Sequence, residues 1–588
     1  MYEVLISGGT VVDGSGRPGF EADVALSGGR IAAIGEDLGP ARTVLDATGL
    51  IVCPGFIDVH THYDAQVLWD PTLSPSPLHG VTTVVAGNCG ISLAPLDRST
   101  SDFLVGLLSR VEAIPLEALE AGLEFRWETF AQYLAQVRGC APAINIGFLA
   151  GHSAIRRLVM GPAASERPAS ESEVSAMADR LGEAIAAGAM GFSSATASTH
   201  RDGSGVPTPP TFADRRELVA LAAVCGNFPG TSVEFIPESA AYGFTDEDYG
   251  LLTAMSVASG RAVNWNTVLL DYPAIPDIHQ RQLESADVAA AAGGVVVPMM
   301  IPHNFRVRTD FAESDVGFRS LPAFEGLFDL TPPDRLRALS DPTVRRHLHE
   351  SLAHAPLGST AMFRDALADH VVSDSGAPAL QGVVGRPVAE LAHERGQSVL
   401  DVMMDLAVTS ELDVGFVRHL VPTATAEQRA TRAQVLRDPR VVLGASDGGA
   451  HVRGVVNVEY TTASFAELVR TTPVFRSEEL VHEFTEVPAR LYGLVDRGRL
   501  QPGFHADIVL FDPDRIGASP VALANDLPGG ATRLVSRGEG IESVLVAGVV
   551  VVHTGQYPGR RPGRVLHSGT DSVSGGPFHR DRPGAAVR

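Results

Sequence analysis

Short apolar runs alternate with amphipathic stretches through the middle of the chain, and this alternation constrains the fold more than any other feature. Residues 82–85, 144–149, 294–297 and 441–443 read as buried strands. Residues 173–187, 215–224 and 399–408 read as helices between them. Repeated over roughly 400 residues, such units predict an α/β architecture, a (β/α)8 TIM-like barrel. Chemistry in such barrels sits at the carboxyl ends of the strands, so polar residues there are the candidates for a site.

Three strand ends stand out. The run Gly-Phe-Ile-Asp-Val-His-Thr-His ends in His60 and His62. A strand repeats every two residues, so both imidazoles share a face and Thr61 points away. Such a pair supplies two nitrogen ligands to a divalent metal. The second end is Gly87-Asn88-Cys89-Gly90, where a thiolate would ligate or bridge metals. The third is Ser446-Asp447-Gly448-Gly449-Ala450-His451. Asp447 there suits a metal ligand that also accepts a proton from water, although Asp-Gly equally suits a turn.

Composition removes several alternatives. The 588 residues include no lysine, so all 46 basic side chains are arginine. A carboxylated-lysine metal bridge, a lysine Schiff base and a phosphate-loop lysine are therefore excluded, and any bridge must be Cys, Asp or Glu. The net charge of −23 argues against nucleic acid or an anionic membrane as partner. Four cysteines, Cys53, Cys89, Cys140 and Cys225, are too few to staple this length and predict reduced thiols and a cytoplasmic protein. Neither a signal peptide nor an apolar run of membrane-spanning length is found. Gly14-Ser15-Gly16 sits in a hairpin rather than a nucleotide loop, and no Gly-x-Ser-x-Gly elbow accompanies a triad.

The chain ends share a different texture, short strands split by glycine turns. Residues 1–53 and 496–555 are read as two parts of one small β-sandwich. Residues 54–495 form the metal-dependent barrel, with an insertion at about 303–380 over its mouth. The Pro-, Gly-, Ser- and Arg-rich stretch 556–588 is read as a disordered tail or as an arm on a neighbouring subunit of a homo-oligomer.

These motifs, with His79-Gly80-Val81 leading to Asn88-Cys89-Gly90-Ile91-Ser92, resemble the amidohydrolase superfamily. More narrowly they are similar to the D-aminoacylase (N-acyl-D-amino-acid deacylase) family, and Asn-Cys-Gly-Ile-Ser is the specific element. The resemblance covers most of the chain. It implies a barrel beside a small β-sandwich, Zn2+ bound through His60, His62, Cys89 and Asp447, and hydrolysis of an N-acyl amide. It also implies two further metal-binding histidines at the ends of the fourth and fifth barrel strands. The chain has neither. Glu234, in the segment 230–238, and Asn266, in the segment 261–266, stand there as oxygen donors instead. One or two zinc ions per chain are therefore expected.

Further histidines are candidates for contact with substrate. His152 and Arg156 lie in a Gly-His-x-x-x-Arg element, which the family shares, and are read as carboxylate or oxyanion binders. His200, His303 and His451 are candidates at the mouth, with Glu234 and Asn266. The expectation is a cytoplasmic amidohydrolase in which a metal-activated water cleaves an N-acyl amino acid or related small-molecule amide and Asp447 shuttles the proton. A mononuclear deaminase, a cyclic-amide hydrolase and a non-catalytic scaffold are the alternatives.

Overall fold

The computed structural model describes residues 1–574 apart from 242, 272–274, 313–317, 319–320, 355–362 and 420–424. Eight parallel strands make the barrel. In order they are Phe56–Asp58, Val81–Ala86, Asn145–Phe148 (continued by Ala150–Gly151), Gly191–Ala195, Ser232–Ile236, Val263–Asn266, Val296–Met300 and Val442–Leu443. Alternation explains the two apolar layers. Val84 and Ala86 face the surrounding helices, while Val85 joins Ile57, Leu149, Val297 and Met299 inside the barrel. Closure between the eighth and first strands comes from a Thr61–Gly448 bridge and a His62 N–H to Gly448 carbonyl bond of 2.7 Å.

Strand counting corrects one expectation. Gly191–Ala195 is the fourth strand, so Glu234 lies on the fifth and Asn266 on the sixth, not on the fourth and fifth. Gly-Phe-Ser-Ser is too poor in branched apolar residues to read as a strand, yet the whole segment is buried.

Both chain ends enter one eight-stranded sheet. Tyr2–Val11 pairs with Phe20–Ser27, then with Ala41–Asp46 along its first half and Ile51–Pro54 at its end. Ile51–Pro54 pairs in turn with Ile508–Phe511, from the other end of the chain. The sheet branches at its first strand, at a register shift between Ile6 and Gly9, and residues of both branches, among them Val24, Val52 and Ile508, share one apolar core.

The insertion after the seventh strand runs past residue 380. Arg306–Thr309 pairs antiparallel with Gly415–His419, and Val371–Asp374 flanks the latter. The helices between have their own apolar core, including Phe311, Phe324, Leu400, Met403 and Phe416. Helix Val399–Thr409, read as part of a barrel repeat, therefore belongs to the insertion.

The segment expected to be disordered from 556 is packed as far as residue 574. Leu566 is fully buried and joins the apolar cluster inside the barrel, entering from the end opposite the catalytic face. The Ile146 N–H donates to the Arg564 carbonyl (2.9 Å) and the Leu566 N–H to the Ile146 carbonyl (2.8 Å). Gly188, at φ +119°, leaves the space His567 fills, since a Cβ there would lie 2.0 Å from the ring. Its polar composition hid one well-placed leucine. Among the described residues no helix is long and apolar enough to cross a membrane.

Candidate metal centre

The ends of the first, second and eighth strands bring four donors together. His60 Nε2 lies 3.4 Å from Cys89 Sγ and 3.2 Å from Asp447 Oδ1. His62 Nε2 lies 3.9 Å from the same sulfur and 3.7 Å from the same oxygen. Zinc bound tetrahedrally at ordinary Zn–N, Zn–O and Zn–S lengths would hold its donors about 3.3–3.6 Å apart. The two His60 distances lie at that spacing, and the two His62 distances are somewhat longer. His60, His62 and Cys89 also make up the one group of three or more His, Cys, Asp and Glu among the described residues whose donor atoms lie within 4.8 Å of one another.

Local backbone aims these groups. Cys89 (φ +56°), Ala445 (φ +68°), Asp447 (φ +50°) and His451 (φ +48°) occupy the left-handed region, which costs energy for non-glycine residues and gathers at functional sites. Gly449, at φ +95°, lets the loop pass the His62 carbonyl, which a Cβ would approach to 2.6 Å. The imidazoles and thiol are buried, whereas the Asp447 side chain is 26% exposed, so solvent reaches the cluster over that carboxylate.

Carboxylates surround the cluster. Glu112 Oε1 lies 3.3 Å from His62 Nδ1. Asp58 accepts the His60 N–H at 3.2 Å, and Asp64 accepts the Gly87 N–H at 3.0 Å. Burial opposes charge on His62, but Glu112, Asp447 and Asp64 outweigh it and raise the imidazole to about 9. Burial would also raise Asp447, yet hydrogen bonds from His60 and His62 hold it well below the usual carboxylate range. Burial pushes Asp58 up to about 6, Asp64 to about 7 and the Cys89 thiol well up. So many acidic groups in a dry site call for a cation.

The remaining sequence candidates divide. Glu234 is buried; its Oε2 accepts the Cys89 N–H at 2.9 Å and its Oε1 has no partner. Asn266 Nδ2 lies 3.3 Å from His60 Nε2, and its Oδ1 has no partner. His200 borders the centre, where burial and the charges of His451 and His62 pull it down to about 4. His451 meets the centre through its main chain, donating to the Glu112 carbonyl.

Three candidates fall elsewhere. His152 and Arg156 are fully buried on Glu217, with His152 Nε2 at 2.9 Å and Arg156 Nε at 2.7 Å from Glu217 Oε1. His152 Nδ1 is 2.9 Å from Ser194 Oγ, so neither ring nitrogen is left for substrate. His303 is buried with Arg432 and Arg306 as its leading charged neighbours, and burial takes it down to about 3. Sequence reasoning missed Asp64 and Glu112. Asp64 continues the period-two series of Asp58, His60 and His62, a usable signal, whereas Glu112 follows a helix, Arg98–Val111, and carries none.

Comparison with known proteins agrees with this arrangement. A family model described as Amidohydrolase family matches residues 43–552. A D-aminoacylase of Alcaligenes xylosoxydans xylosoxydans is 29% identical over 571 residues, covering 96% of this chain and 97% of that one. A solved N-acyl-D-glutamate deacylase of Bordetella bronchiseptica, complexed with zinc and a phosphonate mimic of the tetrahedral intermediate, superposes with a TM-score of 0.63 at 26% identity, covering 96% of this chain and all of that one. A solved D-aminoacylase described as having a binuclear metal centre gives 0.63 at 25% identity with the same coverage.

Proposed function

This chain belongs to the amidohydrolase family, and from that premise we propose that it is a cytoplasmic zinc-dependent deacylase of N-acyl-D-amino acids. It is a metal-dependent hydrolase of carbon–nitrogen bonds other than peptide bonds. The D-aminoacylase and N-acyl-D-glutamate deacylase relatives support the substrate class, and four unpaired cysteines support the compartment. The observation that carries the reading is the convergence of the His60, His62 and Cys89 donor atoms within 4.8 Å of one another, with Asp447 Oδ1 3.2 Å from His60 Nε2.

Bound zinc supplies Lewis acidity, polarising the acyl carbonyl and lowering the pKa of water toward about 7. His60, His62 and Cys89 would hold the ion, with Asp447 beside the position left for water. Asp447 is also the member that solvent reaches, which places its carboxylate where it can take a proton from water. It accepts a proton as the water oxygen bonds to the acyl carbon. It returns that proton to the nitrogen as the carbon–nitrogen bond breaks, releasing a carboxylic acid and an amine. His200 is neutral near pH 7, with Nδ1 unpartnered, and offers a hydrogen bond to the bound amide.

The test is hydrolysis of matched N-acyl-D- and N-acyl-L-amino acids by wild type and Asp447→Asn. Cleavage of the D series by wild type alone is expected. Turnover by Asp447→Asn near the wild-type rate would remove the proton shuttle, and cleavage of neither series would remove the substrate class.

A further inference from the structure

We infer that the centre holds a single metal ion, and that Glu234 and Asn266 fill the place of a second one rather than bind it. This rests on the metal-centre reading above. A second ion beside Cys89 needs donors other than the four already converging. The fifth and sixth strand ends are the natural source, and they offer Glu234 and Asn266.

Together they fall short of what a second ion needs. Glu234 Oε2 takes the Cys89 N–H at 2.9 Å, which leaves Oε1 as its free atom. The Asn266 amide lies 3.3 Å from His60 Nε2, a donor of the first ion. Turning the amide to present its unpartnered Oδ1 would add a ligand to that ion and give nothing to another. The second position keeps the shared Cys89 sulfur and one Glu234 oxygen. Zinc takes four donors, chiefly nitrogen and sulfur, and two do not hold it. No other group of three or more His, Cys, Asp and Glu lies within metal-binding reach among the described residues.

Glu234 then has a different task. It fixes the main chain of Cys89 at its left-handed φ of +56° and so sets the direction of the thiolate. It is a positioning residue of the one-ion centre. Asn266 closes the same side next to His60.

The experiment is stoichiometric titration of the metal-free protein with cobalt(II), followed by thiolate-to-cobalt charge-transfer absorption and by elemental analysis after desalting. Saturation at about one ion per chain is expected, with the charge-transfer band absent in Cys89→Ser. The double variant Glu234→His and Asn266→His, which adds two imidazoles, should rise toward about two. Two ions in wild type would overturn the single-ion inference and leave the metal centre standing. A folded double variant that stays at one would overturn donor shortage as the cause. No bound metal would overturn the metal-centre reading itself.

Discussion

Glu112 Oε1 stands 3.3 Å from Nδ1 of His62, on the side of the ring away from Cys89 and Asp447. The charge of a carboxylate there favours a proton on Nδ1, leaving the Nε2 lone pair to the metal, and raises the basicity of that ligand. Glu112→Gln should therefore weaken zinc binding about 10- to 100-fold without unfolding the protein. Competition with a chromogenic chelator measures this. Affinity equal to wild type would mean that His62 is oriented by packing alone.

Proton and metal compete for His62. Its folded value of about 9 lies above the unfolded value of about 6.5, so its contribution to stability is full below pH 6.5 and is lost as pH rises toward 9. Asp447 is depressed, so its contribution is full above the ordinary carboxylate value near 4 and is lost in acid. The metal-free protein should melt highest between about pH 4 and 6.5, falling on both sides. At pH 7 metal uptake should release the His62 proton, so affinity should climb with pH to about 9. Melting curves with chelator, and calorimetry in buffers of different ionisation heat, read the two effects. A metal-free melting temperature that is flat from pH 6.5 to 9 would contradict the Glu112–His62 coupling.

Removal of Cys89 should cost the metal. The thiol is buried and its proton affinity is raised by Glu234, Glu112 and Asp447 as well as by burial, so only a cation makes its thiolate affordable there. Cys89→Ala should lose bound zinc and hydrolysis together. Elemental analysis beside an activity assay checks it, and retention of both would transfer the ligand role elsewhere.

The readable parts of this site were those governed by local period. His60 and His62 share a face because strands repeat every two residues, and Cys89 and Asp447 stood out as polar residues ending apolar runs. What failed depended on packing across the fold. His152 follows a barrel strand as the ligands do, yet its ring meets Glu217 on the helix Arg215–Cys225, and no one-dimensional pattern tells those directions apart. Glu112 reaches His62 from the end of another helix. The barrel and the two-ended β-domain were legible because their strands repeat in texture. The fourth strand and the floor segment lack apolar density and owe their burial to neighbours.

The Arg156–Glu217–His152 cluster gives a prediction that separates support from catalysis. All three side chains are fully buried, and Glu217 is held at about 2, where burial is outweighed by His152 and Arg156. Arg156→Met leaves Glu217 with one partner in a dry site and should cost about 3–5 kcal/mol of stability. Zinc content per folded chain should not change. Urea unfolding with elemental analysis tests both parts. A raised KM with unaltered stability would instead return Arg156 to substrate binding.

The floor of the barrel offers the last prediction. Leu566 is fully buried in the apolar cluster inside the barrel, and its N–H bonds the Ile146 carbonyl near the start of the third strand, away from the metal donors. The segment after it is tied down as well, with Ser572 Oγ donating to the Gly230 carbonyl, just before the fifth strand, at 2.6 Å and the Val573 N–H to the Gly493 carbonyl, just after the helix Glu486–Leu491, at 2.8 Å. Truncating one buried leucine removes its transfer energy and leaves a cavity that surrounding strands cannot close, so Leu566→Ala should cost about 2–5 kcal/mol. Because the donors stand on the opposite strand ends, zinc stoichiometry and kcat at low temperature should stay at the wild-type level while the urea midpoint falls. The barrel cannot relax around the gap without shifting strands that also position His60 and Cys89. A fall in zinc affinity in step with stability would therefore show that the floor and the metal face move as one unit.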